Sequence, residues 1–273
     1  MPSVDGPLAG VTVVVTRAKT QASVLTDKLA ALGATALGVA TIEIVPPVDG
    51  GAALIAGLTS AKPYDQLVVA SPNGAKRLAA AVQGLVEQGL EAELLPPVAC
   101  VGPSTASKLD GSPLRVNLIP DRAVAEGLVD AMPPPAAGKD RLLLTQAEVA
   151  RDVLEVGLQA KGWRVDRVTA YRTIDAEVTD ADRVTASRGD IITFTSSSTV
   201  ERFVRLVGTE SMPSVVASIG PITSATARSL GVRVDVEADP HTIDGLVAAV
   251  VTWRSGTAFS EPGGVQGVDS TGE

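Results

Sequence analysis

Hydroxyl side chains recur in this sequence directly after apolar segments that are long enough to be β-strands. They occur in six places: Thr16–Arg17, Ser71–Pro72–Asn73, Ser104–Thr105, Thr145–Gln146, Ser196–Ser197–Ser198–Thr199 and Thr223–Ser224. Hydroxyls at such positions commonly cap the following helix, because they accept hydrogen bonds from its free N–H groups. Gathered around one cleft, the same hydroxyls, backbone amides and positive helix ends would bind a polyanion. The sequence leaves both interpretations open.

Two further residues could act on a bound anion. Tyr171 lies in the extended segment "VTAYRTI", where a phenol can donate a hydrogen bond or a proton to a leaving group. Packing between domains is an equally open interpretation of this tyrosine. Arg17 ends the first predicted strand, where it either pairs with a ligand carboxylate or forms a surface ion pair.

Conventional catalytic and cofactor motifs are absent from the sequence. One cysteine and one histidine cannot form a zinc site, and no GxGxxG, P-loop or GxSxG motif is present. Cys100 lies within a predicted strand and is expected to be a buried, inert thiol. His241 precedes a predicted helix and is expected to be a structural or surface residue. These absences argue against a zinc site and against a classical dinucleotide or P-loop site.

Composition narrows the class of protein. The chain has 273 residues, of which 45% are hydrophobic and 20% charged, as in ordinary globular proteins. Its net charge of −8 argues against general binding to nucleic acid or to anionic membranes. A single cysteine allows no intramolecular disulfide. The opening residues lack the basic and apolar regions of a signal peptide, and no apolar segment approaches the ~18 residues needed to span a membrane. We therefore expect a cytoplasmic, soluble protein, and nothing in the sequence demands more than a monomer.

The pattern of strands and helices occurs twice along the chain. "VACVGPSTAS" at 98–107 matches "VASIGPITSA" at 216–225, so that Gly102 and Gly220 are 118 residues apart; the same spacing separates Gly127 from Gly245. This indicates an internal duplication. Strands that alternate with helices predict two doubly wound α/β domains with parallel sheets, which bind ligands beyond the carboxyl ends of the strands. The repeat alone divides the chain near 135–140, and residues 255–273 are predicted to be a disordered tail.

At these residues the chain resembles the uroporphyrinogen-III synthase family. The resemblance rests on the order of several pieces, and no single motif is diagnostic: "VTR" at 15–17, "LGATALGVATIEIVPP" at 32–47, "SPNGAKR" at 71–77, "VGPSTAS" at 101–107, "AYRT" at 170–173, "TSSSTVERF" at 195–203, "SIGPIT" at 218–223 and "ADPHTIDGLVAAV" at 238–250. It covers roughly residues 8–253. Ala18 and Ala40–Thr41 depart from the family, which often has proline there, and these departures concern only backbone shape.

The resemblance implies two flavodoxin-like parallel-sheet domains joined by a two-stranded β-ladder. It also implies that the first strand and helix belong to the domain formed by the C-terminal half. The implied division is: residues 1–38 with 175–254 as domain 1, residues 46–167 as domain 2, and 39–45 and 168–174 as the connecting strands.

The resemblance also implies an activity and a set of site residues. The reaction is the cyclisation of hydroxymethylbilane, a linear polycarboxylate tetrapyrrole received from hydroxymethylbilane synthase, with inversion of its last ring and loss of water. Tyr171 would assist departure of the hydroxyl, and neither metal nor organic cofactor is implied. Side-chain carboxylates of the substrate would be held by Ser71, Thr105, Ser197 and Thr223. With their neighbours Asn73 and Ser196, and with Arg17, these residues form the predicted binding set.

Other classes of function remain open on the sequence alone. Two α/β lobes around a cleft also describe a non-catalytic module that binds or senses a tetrapyrrole or a small anion. We expect a sensor to carry an effector segment, and only a short polar stretch follows residue 253. A hydrolase or transferase on the same scaffold is disfavoured because the sequence shows no nucleophile–base pair.

Overall fold

The structure is a computed structural model that describes residues 6–16 and 23–256. In chain order the elements are β1 (Thr12–Val15), α1 (Ser23–Ala31), β2 (Thr35–Gly38), β3 (Ile42–Val45), α2 (Ala52–Leu58), β4 (Gln66–Val69), α3 (Pro72–Glu87), β5 (Val98–Cys100), α4 (Pro103–Ala106), β6 (Val116–Leu118), α5 (Ala125–Ala131), β7 (Arg141–Ala147), α6 (Val153–Ala160), β8 (Arg164–Asp175), α7 (Asp180–Ser187), β9 (Ile191–Phe194), α8 (Ser197–Leu206), β10 (Val215–Ser218), α9 (Pro221–Ser229), β11 (Val236–Glu237) and α10 (Ile243–Arg254). Two short 3₁₀ turns, Ala92–Leu94 and Thr209–Ser211, precede β5 and β10.

The chain divides into two compact units. Unit 1 comprises Met1–Glu43 and Asp175–Glu273, and unit 2 comprises Ile44–Ile174. The first strand belongs with the C-terminal half because β1 pairs with β9, with Val13 opposite Ile191. The repeat-based division near 135–140 misses this pairing, since a repeat in the sequence carries no information about which strands become neighbours. Of the predicted disordered tail, residues 257–273 lie outside the described residues.

Unit 1 contains a five-stranded sheet in the order β11-β10-β9-β1-β2, with every neighbouring pair parallel. Side chains that alternate along the strands enter two different cores. Val13 and Val15 pack with α1 and α10 on one face, whereas Val14 packs with Phe194 and Phe203 on the other. The continuous apolar segment of β1 is therefore explained by burial on both faces.

Unit 2 contains a six-stranded sheet in the order β3-β8-β7-β4-β5-β6. The five strands from β8 to β6 are parallel to their neighbours. Leu143 faces a core formed with α2 and α3, and Leu144 faces the opposite core formed with α5 and α6. The predicted α/β class with two parallel sheets is confirmed. At one edge of this sheet β3 and β8 lie side by side.

The duplicated glycines Gly102 and Gly220 occupy equivalent positions in the two units. Each is the N-cap of a helix that begins with proline, and each has an extended backbone that any residue adopts. Glycine is required there by crowding: an added Cβ would lie 2.7 Å from the Cβ of Ala123 in one case and 2.9 Å from Cγ of His241 in the other. Each strand-to-helix turn is thus packed directly against the following loop.

Gly127 and Gly245 form the second duplicated pair, and each lies where the backbone of a preceding loop packs against a helix. Each lies in the first turn of a helix, α5 or α10. A Cβ at Gly127 would be 2.2 Å from the carbonyl oxygen of Arg122, and one at Gly245 would be 1.9 Å from that of Pro240. Both glycines allow a loop to cross the helix in direct backbone contact.

Among the described residues, no helix combines the length and apolar character needed to cross a bilayer.

Candidate active site

Ser71 and Tyr171 are in hydrogen-bond contact at the carboxyl edge of the six-stranded sheet. Ser71 follows β4 and caps α3, where its Oγ accepts a hydrogen bond from the backbone N of Gly74 at 3.1 Å. Tyr171 lies on β8, and its hydroxyl oxygen is 3.1 Å from Ser71 Oγ. Either hydroxyl can be the donor. The phenol predicted to act on a leaving group therefore has a partner among the predicted anion-binding hydroxyls.

The orientation of Tyr171 depends on an irregularity in the pairing of β7 with β8. Val168 packs on the face covered by α3, so strict alternation would place Tyr171 on the opposite face. The register shifts after Gln146, and Ala147 pairs with Tyr171 rather than with Ala170. An extra residue of this kind re-aims the side chains that follow it. Tyr171 consequently reaches the N-cap of α3 with only 8% of its surface exposed.

The sheet edge in unit 2 also carries Asn73 and Thr105 of the predicted binding set. Asn73 is half-buried in the first turn of α3, next to Ser71. Thr105 lies in α4, the short helix after the Gly102 turn, and its surface is only 3% exposed. Both residues follow strands that end at the same edge, because β4 and β5 are parallel neighbours.

Thr145 and Gln146 end β7 at this same edge, and both side chains are buried. Neither Thr145 Oγ1 nor Gln146 Nε2 has a hydrogen-bond partner among the described residues. The backbone carbonyl of Thr145 accepts a hydrogen bond from the N of Ala70, at 3.2 Å, directly before Ser71. This pair is one of the six hydroxyl turns in the sequence and lies outside the predicted binding set.

In unit 1, Ser196 and Ser197 are strongly engaged in local structure. Ser196 caps α8 in a reciprocal arrangement with Thr199, whose Oγ1 accepts a hydrogen bond from the backbone N of Ser196. Ser197 Oγ accepts a hydrogen bond from Thr226 Oγ1 at 2.8 Å and donates to the carbonyl of Ile222 at 3.4 Å. Ser196 therefore performs the capping role that the simpler interpretation predicts, and Ser197 ties α8 to α9.

Thr223 lies in the first turn of α9, beside a buried polar cluster that the sequence reasoning missed. Ser218 Oγ and Ser224 Oγ are 2.5 Å apart, and Ser224 Oγ also donates to the carboxylate of Glu237. The cluster joins the ends of β10 and β11 to α9, and Thr223 itself is 4% exposed. Only Ser224 carried a signal in the sequence, because the contact with Glu237 depends on the pairing of β10 with β11.

Arg17, Cys100 and His241 are the remaining residues that the sequence singled out. Arg17 lies outside the described residues. Cys100 is fully buried, as predicted, and burial raises the pKa of its thiol to about 11; the inertness of this thiol stays a prediction. His241 is exposed, and its Nδ1 lies 2.8 Å from the carbonyl oxygen of Ala238, in keeping with a structural or surface role.

Charge near the end of β8 is organised around Asp175, four residues beyond Tyr171. Arg205 contacts both carboxylate oxygens of Asp175, at 2.7 and 2.8 Å, and Arg202 Nε donates to one of them at 3.3 Å. These hydrogen bonds, those of Arg205 first, hold the pKa of Asp175 below its usual value.

Within residues 6–16 and 23–256, no group of three or more His, Cys, Asp or Glu side chains is arranged to hold a metal ion.

Comparison with known proteins identifies the family. The family model described as uroporphyrinogen-III synthase HemD matches residues 23–248. A curated uroporphyrinogen-III synthase from Synechococcus elongatus is 34% identical over 266 residues, which cover 93% of this chain and 99% of the relative. The chain belongs to the uroporphyrinogen-III synthase family. It is therefore a cyclising lyase of tetrapyrrole biosynthesis, and its substrate is a small-molecule tetrapyrrole.

Solved structures with this family name share the fold. Uroporphyrinogen-III synthetase from Helicobacter pylori matches with a TM-score of 0.59 at 15% identity, covering 89% of this chain and 99% of that one. A mutant uroporphyrinogen III synthase from Thermus thermophilus matches with a TM-score of 0.54 at 16% identity, covering 91% and 100%. Both are two-domain α/β proteins.

Proposed function

We propose that this chain cyclises hydroxymethylbilane to uroporphyrinogen III and that Tyr171 is its catalytic residue. The observation that carries the proposal is the contact between the Tyr171 hydroxyl and Ser71 Oγ, 3.1 Å apart at the carboxyl edge of the sheet. Ser71 Oγ accepts a hydrogen bond from the N of Gly74, so its own proton is free to be donated to the tyrosine oxygen. Donation by Ser71 leaves the phenolic proton available for a substrate oxygen.

The first chemical step is loss of the terminal hydroxyl of the substrate. The proton of Tyr171 passes to the departing oxygen as the carbon–oxygen bond breaks, and water leaves. As the carbon–oxygen bond breaks, the electron pair of the pyrrole nitrogen is drawn into the ring to form an exocyclic double bond, and the N–H proton passes to solvent water, which leaves an electrophilic azafulvene. Ser71, donating to the tyrosine oxygen, stabilises the negative charge that develops there.

Ring inversion follows from the choice of attacking carbon. The last pyrrole ring attacks the azafulvene through its substituted carbon and forms a spiro intermediate, which fragments and recloses as the III isomer. During these steps the azafulvene nitrogen regains a proton from solvent, and the proton released from the carbon that closes the ring returns to Tyr171, so that one water is lost overall. Because spontaneous closure gives the I isomer, the protein has to control the conformation of the chain more than it has to supply strong acids or bases.

The hydroxyl turns are proposed to hold the carboxylates of the substrate. Neutral donors and helix N-termini bind anions without added positive charge, which suits a chain with a net charge of −8. The proposed binding residues are Arg17, Ser71, Asn73, Thr105, Ser196, Ser197 and Thr223. We further propose that the protein is a cytoplasmic monomer that receives its substrate from hydroxymethylbilane synthase.

A pair of conservative variants tests the role of Tyr171. The chain has two tyrosines, and Tyr64, whose hydroxyl bonds to Asp166 at 2.8 Å, provides a matched control. We expect Tyr171→Phe to lower kcat for the III isomer by about a hundredfold, whereas Tyr64→Phe retains the wild-type kcat. Equal kcat values for Tyr171→Phe and the wild type, with both proteins folded, would refute the proposed role.

A further inference from the structure

Thr145 combines complete burial with an unsatisfied hydroxyl. Its surface is 0% exposed. Within the described part of the chain, the buried side-chain polar atoms that lack a partner are those of Thr41, Thr145 and Gln146. A buried hydroxyl without a partner destabilises the folded state, because it has lost its hydrogen bonds to water. Such an atom in a native protein calls for a specific explanation.

The side chain of Thr145 lies on the face of the sheet that α3 covers, and its backbone lies beside the first turn of α3, which Ser71 caps. Leu143, two residues earlier on β7, packs in the core under α3, so the Thr145 side chain lies on that same face. Ala147, two residues later, pairs with Tyr171. A Cβ at Gly74 would lie 3.3 Å from Ser71 Oγ and 3.6 Å from the Thr145 carbonyl oxygen. The first turn of α3 therefore brings Ser71 close to Thr145.

In the Ser71–Tyr171 pair, Ser71 Oγ can accept one hydrogen bond more than the structure shows. Ser71 Oγ has one proton and two lone pairs. When Tyr171 donates to the substrate, Ser71 has to donate to Tyr171, and the N–H of Gly74 occupies one lone pair of Ser71. The second lone pair is then available. On this face, Thr145 supplies a buried hydroxyl whose proton is uncommitted.

We propose that Thr145 is a positioning residue for the catalytic tyrosine, which rests on the proposed function of Tyr171. In the substrate complex the Thr145 hydroxyl donates to Ser71 Oγ. Ser71 then donates to the Tyr171 hydroxyl, and Tyr171 donates to the substrate oxygen, so that each hydroxyl donates to the next. Because both lone pairs of Ser71 Oγ are then occupied, Tyr171 does not donate to Ser71, and the phenolic proton stays directed at the leaving oxygen. Because Thr145 is fully buried, it acts only through Ser71 and does not touch the substrate.

The test removes the hydroxyl while preserving the shape of the side chain. We expect Thr145→Val to lower kcat for the III isomer by about threefold to tenfold, the effect of one hydrogen bond, with KM unchanged. Its Tm is expected to equal or exceed that of the wild type, because an unsatisfied polar atom is removed. Thr145→Ser restores a hydroxyl and is expected to restore most of the lost kcat.

Thr41→Val is the matched control, since it removes a second unpartnered, fully buried hydroxyl. We expect it to leave Tm unchanged or raised, as in Thr145→Val, and to leave kcat at the wild-type value. Should Thr145→Val not fold, Thr145→Ala removes the same hydroxyl and is subject to the same kinetic expectations.

A double variant separates action through Tyr171 from a general structural effect. In the Tyr171→Phe background, Thr145→Val is expected to cause no further loss of kcat. A wild-type kcat for Thr145→Val, or an undiminished additional loss in the Tyr171→Phe background, would overturn the inference about Thr145 alone. A wild-type kcat for Tyr171→Phe would instead overturn the proposed role of Tyr171, and the role of Thr145 with it.

Discussion

Ser71 and Tyr171 are one hundred residues apart in the chain, and their hydroxyl oxygens lie 3.1 Å apart. Ser71 is held by its capping bond to the N of Gly74, and Tyr171 by the altered pairing of β8 with β7. Two different local structures thus fix the two oxygens, one a helix N-terminus and the other a strand irregularity. The variants below separate their contributions.

Removal of the Ser71 hydroxyl should affect both stability and catalysis. Ser71→Ala is expected to lower the free energy of unfolding by about 1 kcal/mol, the usual effect of losing an N-cap. It should also lower kcat by about tenfold, because Tyr171 loses its donor. Urea unfolding and steady-state kinetics measure the two effects.

Thr179→Ala is the control for Ser71→Ala. Thr179 caps α7 by accepting a hydrogen bond from the backbone N of Asp182, so its loss should destabilise the protein to a similar degree. We expect kcat to stay at the wild-type value. A parallel fall of kcat in both variants would mean that reduced stability, rather than the position of Ser71, causes the loss.

Glycine-to-alanine changes at Gly102 and Gly84 are expected to have opposite effects on the stability of the protein, because Gly102 is crowded and Gly84 is not. A Cβ at Gly102 would lie 2.7 Å from Ala123 Cβ, whereas one at Gly84 in α3 would meet nothing within 4 Å. Gly102→Ala should destabilise the protein by about 1–3 kcal/mol through overpacking. Gly84→Ala should stabilise it by about 0.5–1 kcal/mol through helix propensity. Urea midpoints that shift in the same direction for both variants would contradict this account.

The carboxylate of Asp175 makes a pH-dependent contribution to stability. Arg205 and Arg202 lower its pKa in the folded protein below the ordinary value of 3.8. A group with a depressed folded pKa stabilises the protein above its unfolded pKa, and this stabilisation is lost as the pH falls through the folded pKa. Asp175→Asn should therefore be less stable than the wild type at neutral pH.

The difference between wild type and Asp175→Asn should be constant from neutral pH down to about the ordinary carboxyl pKa. Below that value it should shrink as Asp175 of the wild type becomes protonated. Urea midpoints measured along an acid series test this directly. A difference that does not change throughout the acid range would show that the arginine contacts do not depend on the charge of Asp175.

Cys100 should resist thiol reagents in the folded protein. Its side chain is fully buried in β5, and its pKa of about 11 keeps it as the unreactive thiol at mildly alkaline pH. We expect modification only on the timescale of unfolding, with one equivalent of thiol reacting at once in denaturant. Rapid labelling of the native protein, without loss of secondary structure, would contradict the burial of this strand.

The sequence predicts the parallel sheets well because buried strands such as β1 and β9 are short apolar segments followed by helices. It also marks Gly102 and Gly220, whose shared spacing reflects the same crowded turn. It does not predict the orientation of Tyr171, because the register shift beside Gln146 exists only once β7 and β8 have paired.

The sequence also does not predict the hydrogen bonds between buried polar side chains. The Ser218–Ser224–Glu237 cluster requires β10 and β11 to be neighbours, and no spacing in the chain encodes that. Nor does the sequence distinguish Ser196, which is used as a helix cap, from Ser71, which both caps a helix and contacts Tyr171. A hydroxyl after a strand is a common feature, and its function depends on what the fold brings to it.

The central claim is that this chain directs ring closure with inversion, and the product-isomer ratio tests it most directly. Purified protein is mixed with freshly generated hydroxymethylbilane, the products are oxidised, and the porphyrin isomers are separated by chromatography. We predict that the III isomer predominates over the I isomer of spontaneous closure. Isomer I alone, formed at the rate seen without protein while the chain is verifiably folded, would contradict the claim and favour a tetrapyrrole-binding or sensing module.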